Sequence, residues 1–239
     1  MATLFISDLH LGSAHPGIAE LFLQFLRNQA RDSEALYILG DLFEYWIGDD
    51  AVQDEYQPVI AGLRALSDAG IPLYFMHGNR DVLIGGQFCV LTGGKLLADP
   101  TVIDLYGQPT LLMHGDSLCT DDIKYQQFRA LARDPAYQQA FLNKTIAERI
   151  AFVREAREKS AQHKISINEE IMDVNLQAVD TVMRQHQVTR LIHGHTHRPA
   201  VHQFALDGQT ATRIVLSDWG SKGNYLICDS AGCRLEYFT

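Results

Sequence analysis

Five short stretches of this chain concentrate side chains able to do chemistry: Asp8-x-His10, Gly40-Asp41, Gly78-Asn79-Arg80-Asp81, His114-Gly115-Asp116 and Gly194-His195-Thr196-His197. Each sets a carboxylate, amide or imidazole donor just past an apolar run. Taken together they offer Asp8, His10, Asp41, Asn79, His114, His195 and His197 as ligands. One transition ion takes about four to six ligands, so seven O and N donors suit two ions sharing a carboxylate. The set contains no thiolate, and its mix of imidazole, carboxylate and amide fits Mn²⁺, Fe²⁺ or Zn²⁺. Two such ions lower the pKa of a shared water until hydroxide is available near neutral pH.

Each stretch alone has a blander reading. Asp8 can cap a helix, and Asn79 suits a left-handed turn position. His193 sits beside His195 and His197 but completes no ligand motif, so it reads as packing or as support for a neighbouring ligand. His15, His77, His163, His186 and His202 read the same way. Asp49, Asp50, Asp121 and Asp122 are most simply solvated turn acids or helix caps. The weight lies in five such stretches in one order, each behind a strand-like run.

The elements that must hold these residues follow from hydrophobic periodicity. Residues 3–6, 36–39 and 73–76 are short continuous apolar runs, the mark of strands buried on both faces. Gly40 ends the second with a sharp turn, so Asp41 stands at the carboxyl edge of a sheet, where open α/β folds bind ligands. Residues 17–31 and 55–69 carry amphipathic helical patterns, the first with Leu21, Phe22, Phe25 and Leu26 on its apolar stripe. A Gly107-Gln108-Pro109 turn joins residues 102–105 to 110–113 as a hairpin. From 120 to about 185 the pattern is helical without strand punctuation, and 201–239 alternates as strands again. Helices between the early strands and turns between the late ones predict a layered α/β fold.

Composition sets the outer bounds. The chain has 239 residues, 46% hydrophobic and 21% charged, enough for one substantial core. Its net charge of −9 excludes an extended nucleic-acid groove, which needs clustered Lys and Arg. The N-terminal residues read as a first strand rather than a signal peptide, and no apolar run approaches the about 18 residues that span a bilayer. Cys89, Cys119, Cys228 and Cys233 form no CxxC pair. Cys228 and Cys233 could face each other across a hairpin, but reduced thiols are the expectation.

The five stretches, in this order and over nearly the whole chain, resemble the calcineurin-like metallophosphoesterase family. The resemblance implies two mixed β-sheets packed as a sandwich with flanking helices. It implies that Asp8, His10, Asp41 and His197 hold one metal and Asp41, Asn79, His114 and His195 the other, with Asp41 bridging. Longer motifs bring a narrower likeness: Ser7-Asp8-Leu9-His10-Leu11, Gly40-Asp41-Leu42-Phe43-Glu44, Trp46-Ile47-Gly48-Asp49-Asp50, Leu118-Cys119-Thr120-Asp121-Asp122, Ile171-Met172-Asp173-Val174-Asn175 and Ile192 through Pro199. They are similar to members that cut the pyrophosphate of a diacylated uridine sugar nucleotide in lipid A biosynthesis. That resemblance implies attack on the UMP-side phosphorus, with Asp41, Arg80 and His195 catalytic. It also implies substrate contacts from Asn79, Arg80, Asp122, Ser160, Lys164 and His195. Lys164 and Ile167 depart from the family pattern, which has a small polar residue and a lysine there. Two divalent ions per chain are implied, Mn²⁺ being the ion expected. A lipid-linked sugar nucleotide substrate, a peripheral seat on the cytoplasmic face of the inner membrane, no nucleic acid and no obligate protein partner follow.

The resemblance makes residues 1–239 a single domain with a helical lid inserted at about 120–185. Between 144 and 164, six basic residues (Lys144, Arg149, Arg154, Arg157, Lys159 and Lys164) stand against three Glu. In a lid, the apolar side chains would enclose acyl chains while these cations face phosphates or anionic headgroups. Two other functions fit the ligand set: a dinuclear phosphodiesterase acting on cyclic or small nucleotides, and a non-catalytic scaffold of the same fold.

Overall fold

The computed structural model describes residues 2–166 and 173–239, backbone only over 159–166. In chain order the elements are β1 (Thr3–Ile6), α1 (Pro16–Arg27), β2 (Ala35–Leu39), α2 (Gln57–Asp68), β3 (Leu73–Met76), α3 (Gly86–Thr92), β4 (Lys95–Leu97), β5 (Thr101–Leu105) and β6 (Gln108–Met113). There follow α4 (Ile123–Ala132), α5 (Pro135–Leu142), α6 (Ile146–Ser166), α7 (Leu176–Gln185), β7 (Arg190–His193), β8 (Ala200–Leu206), β9 (Gln209–Val215), β10 (Gly223–Asp229) and β11 (Gly232–Phe238).

Two mixed sheets result. One runs β11-β10-β1-β2-β3-β4 and the other β5-β6-β7-β9-β8. In the first, β1 to β4 are parallel and the β10–β11 hairpin joins antiparallel beside β1. In the second, β6, β7 and β9 are parallel, with β5 and β8 antiparallel at the edges.

The apolar runs read as strands buried on both faces because each divides its side chains between two cores. Leu4 and Ile6 of β1, Leu36 and Ile38 of β2, and Leu73 and Phe75 of β3 face α1, α2 and α3. Phe5, Leu39 and Met76, on the opposite face, meet Leu112 of β6 and Ile192 of β7 between the sheets. Leu111 and Met113 of β6 and Leu191 of β7 pack outward against Val179 and Met183 of α7. The layers are therefore helix, sheet, sheet, helix. Two aromatic clusters in the first core reach toward the edge that carries the ligand motifs. Phe22 and Phe25 meet Trp219 edge-on at 5.9 and 5.7 Å, and the Trp219 backbone N–H donates to Asp8 O at 3.2 Å. Phe43, just past β2, lies 4.8 Å from Trp46 and 4.4 Å from Tyr56.

The two mixed sheets are as the resemblance implied, and the five ligand-bearing strand ends divide between them: β1, β2 and β3 in one, β6 and β7 in the other. Several expectations are modified. Asp49 is no solvated turn acid. It accepts from Trp46 Nε1 and from the backbone N–H of Gly85 and Phe88, and so fixes the approach to α3. Asp50 holds Arg149 by two hydrogen bonds of 2.7 and 2.9 Å, which turns this lid-region cation inward instead of toward a ligand or headgroup. Cys228 and Cys233 are joined as a disulfide, against the expectation of reduced thiols, because the β10–β11 register sets them opposite each other with Cα atoms 4.1 Å apart.

Candidate active site

The parallel ladder between β1 and β2 continues past the strand ends. Asp8 N donates to Gly40 O at 3.1 Å and His10 N to Asp41 O at 3.0 Å. From the facing sheet, Gly194 N donates to His114 O at 2.9 Å, and His195 N reaches across to Asp8 Oδ2 at the same distance. The two carboxyl edges are thus joined by a backbone N–H of one and a side-chain carboxylate of the other. Gly40 sits at φ +93°, and a Cβ there would come within 2.7 Å of the Gly78 backbone, so no side chain fits between β2, β3 and His114. Asp8, His10, Asp41, His195 and His197 all have positive φ, between 50° and 68°. Left-handed backbone in non-glycine residues costs about 1–3 kcal/mol each and collects at functional sites held by their surroundings.

The ligand atoms fall into two groups, Asp8–His10–His197 and Asp41–His114–His195, each with its atoms within 4.8 Å of one another. Asp41 Oδ2 lies 3.9 Å from His10 Nε2 and 3.8 Å from His114 Nε2, so this oxygen stands between the groups. Asp41 Oδ1 is engaged elsewhere, accepting from Arg80 N at 2.8 Å. Asn79 Oδ1 joins the second group, 3.2 Å from His114 Nε2. Asp8 Oδ2 accepts from Ser7 Oγ and His195 N. Its buried Oδ1 accepts no hydrogen bond among the described residues and faces His197 Nε2 at 3.4 Å.

Three of the four imidazoles are oriented from behind. His114 Nδ1 donates to Leu39 O at 2.9 Å, His10 Nδ1 faces Glu44 Oε2 at 3.3 Å and His197 Nδ1 faces Asp218 Oδ2 at 3.5 Å. These contacts leave the Nε2 lone pairs turned inward, and His10 Nε2 and His197 Nε2 come within 3.3 Å of each other. Orphaned carboxylate oxygen, facing imidazole nitrogens and the absence of thiolate among the donors fit two divalent ions.

The charges of the cluster shift its own titrating groups. Burial drives the His114 pKa down, but Asp41, Asp8 and Asp116 outweigh it and lift it to about 9. Burial pushes the His195 pKa down to about 4, with the His114 charge adding to the effect. For Asp8, burial opposes ionisation, yet His197, His114 and His10 together hold its carboxyl well below the usual range. His193, wholly buried, drops to about 3 because of burial. It donates through Nδ1 to Gly194 O while Nε2 receives Arg213, which props the turn that presents His195.

Beside the donors a cavity of about 560 Å³ opens. Asn79, Arg80 and Glu44 line its near end, and Phe128, Phe141, Phe152 and Val153 of α4 to α6 are among its apolar walls. Arg80 and Asn79 therefore sit where the donors and the cavity meet. Asp122 caps α4, its Oδ1 accepting from Tyr125 N at 2.9 Å. Ser160 and Lys164 lie outside the residues whose side chains are described, and Ile167 lies outside the described residues altogether.

Sequence reasoning missed three positions. Glu44 Oε1 meets Arg157 of α6, with Arg80 Nη1 at 3.9 Å. Tyr125 stacks on His195 with centroids 5.6 Å apart and donates to buried Asp116, which also takes Arg129 and Arg133. Glu44 and Asp116 stood inside quoted motifs, but nothing local marked their partners.

A family model described as calcineurin-like phosphoesterase matches residues 1–199. The chain belongs to the calcineurin-like phosphoesterase family. Its two mixed sheets with flanking helices are the fold of that family, and a phosphoesterase is a hydrolase. This phosphoesterase is 51% identical over 245 residues to the UDP-2,3-diacylglucosamine hydrolase of Xanthomonas oryzae pv. oryzae (strain PXO99A), covering 100% of this chain and 99% of the relative. It is 51% identical over 243 residues to the protein of the same name from Stenotrophomonas maltophilia (strain K279a), with 99% and 98% covered. A solved structure described as a novel archaeal phosphodiesterase aligns over 100% of both chains at 11% identity with a TM-score of 0.50, a likeness of fold alone.

Proposed function

We propose that this phosphoesterase hydrolyses the pyrophosphate of UDP-2,3-diacylglucosamine, releasing UMP and 2,3-diacylglucosamine 1-phosphate, in lipid A biosynthesis. One observation carries the reading beyond the family. The cavity starts at Arg80 and Asn79 beside the donor cluster and continues into apolar walls from α4, α5 and α6. A phosphate at one end and acyl chains at the other match that gradient. Residues 1–239 act as one domain, with 120–185 as its lid.

Asp8, His10, Asp41 and His197 would hold one divalent ion and Asp41, Asn79, His114 and His195 the second, Mn²⁺ in both places. When bound, the pair supplies a water activated near neutral pH and positive charge beside the phosphoryl oxygens. Arg80 is held by its backbone, with N donating to Asp41 Oδ1 and O accepting from Trp46 N. Its guanidinium, lining the donor end of the cavity, would grip non-bridging oxygens bidentately. His195, between Tyr125 and His114, stabilises the charge that develops on the UMP-side phosphate. A sugar phosphate leaves without a dedicated acid. Asp122, Ser160 and Lys164 would contact the sugar nucleotide.

No helix among the described residues is long and apolar enough to cross a membrane, and a peripheral seat on the cytoplasmic face of the inner membrane suits a soluble head reaching a lipid substrate. The test is a panel of UDP-2,3-diacylglucosamine, the unacylated sugar nucleotide and bis(p-nitrophenyl) phosphate, run in H₂¹⁸O. The diacylated substrate should turn over fastest and place ¹⁸O in UMP. Label in the lipid phosphate, or equal rates across the panel, would sink the assignment.

A further inference from the structure

Glu44 has no place in the ligand set, yet three separate parts of the site converge on its carboxylate. Oε2 faces His10 Nδ1 at 3.3 Å, while Oε1 meets the Arg157 guanidinium of α6 and lies 3.9 Å from Arg80 Nη1. The three partners come from the β1 end, the β3 end and the lid. We infer that Glu44 is a positioning residue that fixes His10 for metal binding and, with the same carboxylate, ties α6 to the metal-binding edge. The inference rests on the dinuclear reading above.

The backbone places this side chain deliberately. Leu11 and Phe43 form a bridge beyond the strands, and Glu44 N donates to Leu11 O at 2.9 Å. Phe43 and Trp46 are buried on either side, so Glu44 and Tyr45 must turn outward into the cavity. Gly12 leaves the room, since a Cβ there would stand 3.2 Å from Glu44 Cβ. Arg157 in turn lies over the Tyr45 ring, 6.0 Å from its centroid.

The chemistry divides between the two oxygens. A carboxylate facing Nδ1 at 3.3 Å favours the His10 proton on that nitrogen and leaves Nε2 as the donor toward a metal. Among the described residues no other carboxylate contacts His10 Nδ1. The second oxygen neutralises Arg157, which would otherwise face Arg80 across the cavity with like charge. With Arg149 held by Asp50, α6 is then anchored at two points 8 residues apart, and only the Glu44 anchor touches a metal ligand.

Glu44→Gln and Glu44→Ala separate the roles, because glutamine keeps an oxygen for His10 Nδ1–H but loses the charge that holds Arg157. Protein stripped of metal is titrated with Mn²⁺ by calorimetry, and α6 amides are followed by hydrogen exchange. The expected result is a loss of about 10- to 100-fold in Mn²⁺ affinity for Glu44→Ala, with most of it restored in Glu44→Gln. Faster exchange over 150–158 is expected in both variants. Mn²⁺ affinity within twofold of wild type in folded Glu44→Ala overturns the metal half, and unchanged α6 exchange overturns the lid half. Neither readout needs substrate, so both stand apart from the substrate assignment. A wild-type chain that bound no Mn²⁺ would instead overturn the dinuclear reading, and this inference with it.

Discussion

Replacing Asp41 by asparagine tests the centre of the site with little disturbance to the fold. The amide oxygen can take over the hydrogen bond from Arg80 N that Asp41 Oδ1 now accepts at 2.8 Å. The change falls on Oδ2, the oxygen 3.9 and 3.8 Å from the two imidazole nitrogens. An NH₂ there presents hydrogens where both groups need an electron pair, and one negative charge between the two cation sites is gone. A metal's stabilisation of developing phosphoryl charge is worth several kcal/mol. Loss of the second ion therefore costs about 4 kcal/mol of transition-state stabilisation, or about three decades in kcat. Turnover is measured at saturating Mn²⁺, with bound metal counted by mass spectrometry and the fold checked by circular dichroism and Tm. Asp41→Ala serves as a contrast, because it strands the Arg80 N–H and should lose a further about 1–3 kcal/mol of stability. Folded Asp41→Asn protein holding two ions and turning over within tenfold of wild type would refute the bridging role.

Three further outcomes follow. Val153→Trp narrows the apolar part of the cavity, and should raise KM for the diacylated substrate about tenfold, about 1.4 kcal/mol, while leaving hydrolysis of bis(p-nitrophenyl) phosphate within twofold. Equal loss on both substrates contradicts a lipid-binding cavity. Without metal, His114 with its pKa raised from 6.5 to about 9 binds a proton at pH 7 that a metal must displace. Its contribution to metal-free stability is present below pH 6.5 and fades as pH rises through about 9, while Mn²⁺ affinity climbs by up to about tenfold per pH unit in that window. Calorimetry in buffers of different ionisation enthalpy should register the released proton, and pH-independent affinity rejects the account. Phe25→Ala, in the fully buried aromatic cluster with Trp219, should cost about 3–5 kcal/mol in denaturant unfolding. A loss under 1 kcal/mol would mean the cluster collapses around the gap.

The sequence by itself determined the donor set and the strand ends that carry it. Local rules suffice there: a short apolar run doubly buried reads as a strand, and a glycine or a polar pair marks where it stops. α3 and β4, at seven and three residues, were too short for any period to show. The hairpin of β10 and β11 was readable from its turn, but not the disulfide across it, because register decides which residues face each other. Tertiary structure alone decided the rest. A period of two says that β1 is buried on both faces, and cannot say that its end meets the ends of β6 and β7 from another sheet. That meeting brings the donors into the two groups the resemblance implied and sets Asp41 Oδ2 between them. In the same way Asp49, Asp50 and Glu44 look like interchangeable surface acids in the chain. Apart from Trp46 beside Asp49, their roles come from partners 34 to 113 residues away, brought close by packing that no local pattern encodes.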